Sequence, residues 1–167
     1  MNNVKIIGTG SYIPQRKVNN IELSKLVDTN DEWIMSRTGI RERRISTGEN
    51  TSELATNAAL KAIKNSNITP EDLDLIILAT ITPDAFMPST ACLVQANIGA
   101  VNALCFDITA ACSGFLYGLD IATAMLKCGK RKTALVIGAE TLSKIVDWKD
   151  RNTCRSEEHT SELQSQP

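Results

Sequence analysis

The sequence is poor in the features that mark several common functional classes. Histidine occurs once in 167 residues and aromatic residues make up only 4%. No apolar run approaches the roughly 18 residues that a membrane-spanning helix requires. The opening MNNVKIIGTG reaches glycine after only a few apolar residues, so neither an anchor nor an export signal is expected. The five cysteines, Cys92, Cys105, Cys112, Cys128 and Cys154, are odd in number and include no CxxC pair. That pattern argues against a disulfide framework and against a zinc site, so no metal is expected and a reducing cytoplasm is the natural compartment. Charge of one sign is also missing: 18 Lys and Arg against 19 Asp and Glu give a formal net charge of -1. Such a balance offers no general attraction to nucleic acid or to an anionic membrane, and any phosphate binding has to be local.

What is present is an ample supply of core residues, 43% hydrophobic, in a pattern that alternates strands and helices. Val4 to Ile7 reads as a buried strand closed by Gly8-Thr9-Gly10. The glycines do not make a dinucleotide fingerprint, because Ile13 stands where the third glycine is needed and Pro14 follows where a helix should run. Asn19 and Glu22, and Thr29 and Glu32, have capping-box spacing and predict short helices near 20–27 and 30–38, the second stopped by Gly39. Asn50 and Glu53 open a longer amphipathic helix with Leu54, Ala58 and Ile63 on its apolar face. Thr69-Pro70-Glu71-Asp72 predicts a helical turn. Strands follow at Asp74 to Thr80, Ala103 to Ile108 and Ala134 to Gly138, with helices at Thr90 to Ile98 and Ser113 to Cys128, the latter ended by Gly129. This order points to an α/β domain with a mainly parallel sheet covered on both faces.

The chemistry concentrates at Phe106-Asp107-Ile108-Thr109-Ala110-Ala111-Cys112-Ser113-Gly114-Phe115, where a strand turns through small residues directly into an apolar helix. Cys112 is thereby placed beside a helix N-terminus, where unpaired N–H groups favour negative charge on sulfur and make a cysteine nucleophilic. Ala110, Ala111 and Gly114 leave room for an acyl chain. The plain alternative is that Cys112 is one more small buried apolar residue.

The stretch DITAACSGF resembles the active-site motif of the β-ketoacyl-acyl-carrier-protein synthase III family. Further resemblances follow in the same order: IIGTGSYIP at Ile6 to Pro14, TNDEWI at Thr29 to Ile34, RTGIRER at Arg37 to Arg43, PSTAC at Pro88 to Cys92, and DWKDR at Asp147 to Arg151. The resemblance implies a thiolase-like fold of two similar α/β halves, most of the first supplied by residues 1–154. It implies that Cys112 takes the acyl group of an acyl-coenzyme A, typically acetyl-coenzyme A, and passes it to the carbanion formed when malonyl-acyl-carrier protein loses carbon dioxide. By position, Trp33, Arg37 and Arg151 resemble residues that bind coenzyme A, a substrate here rather than a cofactor. Met87 and Leu142 resemble residues of the acyl pocket, with Phe86 next to Met87 as an alternative register. Arg41, Arg43 and Arg44 add positive charge that would suit an acidic carrier protein or surface ion pairs. A cytoplasmic homodimer is the form the family implies.

The pattern breaks after Cys154. The family continues there with a glycine-rich strand and a second half that carries a histidine and an asparagine for decarboxylation. Residues 155–165 instead read RSEEHTSELQS and resemble a translated sequencing adaptor, so residues 155–167 are expected to be a non-native, disordered tail. The single histidine, His159, falls in that tail and is not a substitute for the catalytic one. Two alternatives stay open: a related condensing enzyme of secondary metabolism, and a truncated fragment without catalysis.

Overall fold

A computed structural model describes residues 3–148 and the backbone of 163–164. The chain forms two compact units. Among the described residues the first comprises 3–12, 50–140 and the 163–164 pair, and the second 13–49 and 141–148.

The first unit is a sheet with helices on both faces. Its helix α3 (Thr51–Ser66) begins at the expected capping box, in which Asn50 and Glu53 each satisfy a backbone N–H of the other. It ends at Asn67, whose φ of 58° is left-handed. A 3-10 turn at Pro70–Asp72, also closed by a capping box with Thr69, leads into β3 (Leu75–Ala79). All five residues of β3 are buried, because the strand lies between β4 (Leu104–Ile108) and β5 (Ala134–Ala139), parallel to both. Helix α4 (Thr90–Ile98) joins α3 on one face, packing Ala91, Val94 and Ile98 with Ile76 and Leu78. Helix α5 (Gly114–Lys127) covers the other, where Ala122, Ile121 and Met125 meet Leu75, Ile77 and Val136. The expected α/β class, with a mainly parallel sheet covered on both faces, is what the unit shows.

Three expectations change. Val4, Ile6 and Ile7 are exposed and form no strand. Their segment runs over α3 instead of pairing with a sheet edge. A Cβ at Gly8 would lie 2.6 Å from the Ala62 carbonyl, and one at Gly10 would strike the backbone of Ala58 and Ala62. Lys61 Nζ donates to Ser11 O at 2.7 Å and Asn65 to Thr9 O at 2.8 Å. The glycines thus permit close packing on a helix, and the helix supplies the backbone partners that a sheet would have given. Secondly, two residues of the expected tail, β6 (Leu163–Gln164), pair antiparallel with Gly138 and Ala139 of β5, whose outer edge offers unpaired backbone groups. The remainder of that tail, with Cys154 and His159, lies outside the described residues.

The third concerns the second unit, which holds β1 (Arg16–Asn19) paired antiparallel with β2 (Glu42–Ile45), neither of them expected. Its α1 (Asn20–Leu23) is a single turn capped by Asn19, shorter than the expected 20–27. In α2 (Asp31–Thr38) the cap is Asn30, whose Oδ1 accepts from Trp33 N at 2.8 Å, and not Thr29, whose buried hydroxyl has no hydrogen-bond partner among the described residues. Gly39 ends α2 as expected, with φ of 72°. Leu23, Val27 and Ile34 form the core, with Trp33, Ile40, Val146 and Trp148 packed around it.

Candidate active site

In the first unit β4 ends at Ile108, and Thr109 and Ala110 lead into a 3-10 turn at Ala111–Ser113 that runs straight into α5. Ala111 has φ of 44°, a left-handed backbone that costs an L-alanine roughly 1–2 kcal/mol and is found where the surroundings impose it, often at functional sites. The kink leaves Cys112 exposed on the turn that feeds the helix N-terminus. Gly114 does not line open space, as the sequence suggested. It is buried against β3, where a Cβ would sit 3.0 Å from that of Ala79, so its smallness seats the helix start on the sheet.

Around the ends of the parallel strands lies a polar cluster that includes a residue sequence reasoning missed. Glu140, directly after β5, accepts from Thr82 Oγ1 at 2.6 Å, Thr80 Oγ1 at 3.1 Å and Ile81 N at 2.9 Å. Burial pushes its carboxyl above the ordinary value, and the hydrogen bonds oppose that shift only in part. Thr80 O in turn accepts from Thr109 Oγ1 at 3.2 Å, and Thr80 N donates to Ile108 O at 3.1 Å. Asp107 accepts from Thr90 N and Ala91 N, both at 2.7 Å, and so caps α4 from the neighbouring strand. Asp84 does the same for α3, accepting from Ser52 N at 3.0 Å. Between these two clamps the loop carries Phe86 and Met87 at its exposed tip.

The other cysteines of the unit differ from Cys112. Cys92 and Cys105 lie 3.4 Å apart, half-buried, and Cys105 Sγ donates to Gln95 Oε1 at 3.0 Å. Burial, followed by the hydrogen bond with Cys92, pushes the Cys105 thiol up to about 12. A thiol so disposed stays protonated near neutral pH and is a poor nucleophile. Cys128 is exposed just beyond α5.

The second unit holds the residues expected to meet coenzyme A. On α2, Trp33 is half-buried against the apolar cluster, and the Arg37 guanidinium lies 4.5 Å from its ring centroid, as the four-residue spacing predicts. Leu142 is half-buried in a 3-10 turn at Leu142–Lys144. Arg151 lies outside the described residues. Of the three arginines expected to add surface charge, Arg41 is exposed, but Arg43 is only 3% exposed and donates to Asn20 Oδ1 at 3.0 Å. Arg44 donates to the Pro14 carbonyl at 3.0 Å. These two tie β2 to the residues on either side of β1. Among the described residues no cluster of three or more His, Cys, Asp and Glu side chains could hold a metal ion, and no helix is long and apolar enough to cross a membrane.

A model of the 3-oxoacyl-[acyl-carrier-protein] synthase III family matches residues 106–156, beginning at the strand that leads to Cys112. The β-ketoacyl-[acyl-carrier-protein] synthase III of Clostridium botulinum (strain Langeland) is 68% identical over 154 residues, covering 92% of this chain and 47% of that protein. The crystal structure of 3-oxoacyl-[acyl-carrier-protein] synthase III from Aquifex aeolicus VF5 matches with a TM-score of 0.88 and 59% identity, over 90% of this chain and 49% of that one. The priming β-ketosynthase of the R1128 polyketide biosynthetic pathway matches with a TM-score of 0.85 and 34% identity, over 88% of this chain and 44% of that one. The chain spans about half the length of the curated relatives it matches. Its architecture is that of the N-terminal half of their thiolase-like fold.

Proposed function

Because the chain belongs, over the 154 residues compared, to the β-ketoacyl-[acyl-carrier-protein] synthase III family, we propose that its full-length form starts fatty-acid chains by decarboxylative condensation. The Cys112 thiolate attacks the thioester carbonyl of an acyl-coenzyme A, a new carbon–sulfur bond forms, and coenzyme A leaves as its thiolate. Malonyl-acyl-carrier protein then loses carbon dioxide, and the resulting carbanion attacks the acyl-cysteine. The β-ketoacyl product forms on the carrier and the Cys112 thiolate is released. The backbone N–H of Cys112 helps stabilise each tetrahedral oxyanion.

In this reading Trp33 stacks on the adenine of coenzyme A, with Arg37 beside it and Arg151 at the nucleotide end. Met87 and Leu142 shape the acyl pocket. The cytoplasm is the compartment and a homodimer the working form. The observation that carries the proposal is the exposed Cys112, presented at a helix start by a left-handed alanine. The assisting histidine and asparagine belong to the half of the family's length that this chain does not span.

The test is acyl transfer from a panel of radiolabelled acyl-coenzyme A donors, analysed by peptide mapping. Label is expected on the Cys112 peptide, with acetyl-coenzyme A among the best donors, and is expected to vanish in Cys112→Ala. Label that survives the substitution overturns the mechanism. A preference for bulkier starters over acetyl groups assigns the protein to the secondary-metabolic branch, to which the R1128 enzyme belongs.

A further inference from the structure

We propose that Glu140 is a positioning residue for Cys112, acting through Thr80 and Thr109. The inference deepens the reading of Cys112 as nucleophile and rests on it for its functional meaning. The three parallel strands end together, and each contributes one link. Glu140 follows β5, Thr80 follows β3 and Thr109 follows β4. The carboxylate accepts from the hydroxyls of Thr80 and Thr82 and from Ile81 N, which fixes the Thr80–Thr82 turn from one side. Thr51 Oγ1 fixes it from the other by donating to Thr82 O at 2.6 Å, and Thr82 N donates to Thr80 Oγ1 at 3.0 Å. So held, the Thr80 carbonyl receives the Thr109 hydroxyl at 3.2 Å, three residues before Cys112.

A carboxylate is a costly way to fill a half-buried site, and its partial burial works against its charged form here. Packing alone would be served better by an apolar or amide side chain. What the carboxylate adds is two acceptor oxygens that gather three donors of one turn. The element so fixed is the one whose Thr80 carbonyl accepts from Thr109, between the end of β4 and the nucleophile. Cys112 is already exposed, so access to reagents does not limit its reactivity. Its fixed place at the start of α5 does, and a turn released from Thr80 loses that place.

The test uses the 167-residue chain and iodoacetamide, with the rates at Cys112 and Cys128 read from the same digest. Cys128, exposed beyond the far end of α5, is the internal reference. Glu140→Ala and Thr109→Val are each expected to lower the Cys112 to Cys128 ratio about fivefold, the effect of one hydrogen bond, while Glu140→Gln, which keeps one of the two acceptor oxygens, is expected to fall between these variants and the parent. The double variant is expected to fall no further than either single one, because both cut the same chain of contacts. Thr109→Val leaves the half-buried carboxylate untouched, so it decides the matter even if Glu140→Ala fails to fold. An unchanged ratio in Thr109→Val, or multiplying losses in the double variant, overturns the proposal. No coenzyme A enters this assay, so such a failure would leave the acyl-transfer reading standing.

Discussion

Two neighbouring alanines show how much a single backbone angle decides. Ala110 and Ala111 look interchangeable in sequence, yet only Ala111 takes the left-handed φ of 44° that turns Cys112 outward. The setting of Cys112 was legible because small residues between a strand and a helix leave few other geometries. Glu140 was not, since a single glutamate after an apolar strand reads as a solvated residue until the Thr80–Thr82 turn folds over it. Its half-buried carboxyl has a pH signature. The folded-state value is raised above the ordinary 4.5, so the contribution of Glu140 to stability is full below 4.5 and is lost as pH rises through the raised native value. Glu140→Gln mimics the uncharged form throughout. Its melting temperature is therefore expected to match the parent near pH 4 and to exceed it at pH 8, as followed by circular dichroism. A Gln variant less stable than the parent at pH 8 would mean that the three donors outweigh burial.

At the scale of elements, the helices were legible where capping chemistry is local and the strands where they are buried on both faces. Asn19 and Asn50 each close the cap that their spacing announces, and the turn expected at Thr69-Pro70-Glu71-Asp72 is also closed by a cap at Thr69. Thr29 and Asn30 can both cap, and only packing decided between them. The β1 and β2 pair stayed hidden because RKVN and ERRI each bury one residue in four, Val18 and Arg43, and show no apolar alternation. The converse error, reading VKII as a strand, came from composition without a partner edge. Helix α5 carries a sharper lesson in Gly118, which is buried where a Cβ would lie 2.9 Å from Val136 Cγ1. Its absence of side chain sets how closely the helix that begins after Cys112 approaches the sheet. Gly118→Ala gains about 1 kcal/mol of helix propensity but overpacks this contact at a cost of about 1–3 kcal/mol, and a net loss of up to about 2 kcal/mol is expected in urea denaturation. Full stability with unchanged Cys112 reactivity would show that α5 can ride outward without cost.

At the scale of the whole molecule, the surface of the first unit is unusually apolar in particular places. Leu116 and Tyr117 on α5 are 65% and 54% exposed, and Phe86 and Met87 are exposed at their loop tip. Leu104 is exposed on β4, an outer strand of the sheet. Large apolar side chains so exposed are often covered in an intact protein, and the curated relatives are about twice as long as this chain. With a formal net charge of only -1, there is little repulsion to keep copies apart. The 167-residue chain is therefore expected to self-associate at micromolar concentration and to bind a hydrophobic dye. Sedimentation velocity over a concentration series provides the measurement. Leu116→Lys, which changes an exposed position and leaves the Cys112 turn intact, is expected to shift the population towards monomer. The same substitution should leave the alkylation ratio of Cys112 to Cys128 unchanged, which separates the covering of α5 from the chemistry at its start. A monodisperse, dye-free monomer that melts cooperatively would show instead that this apolar face is stable in water without a cover.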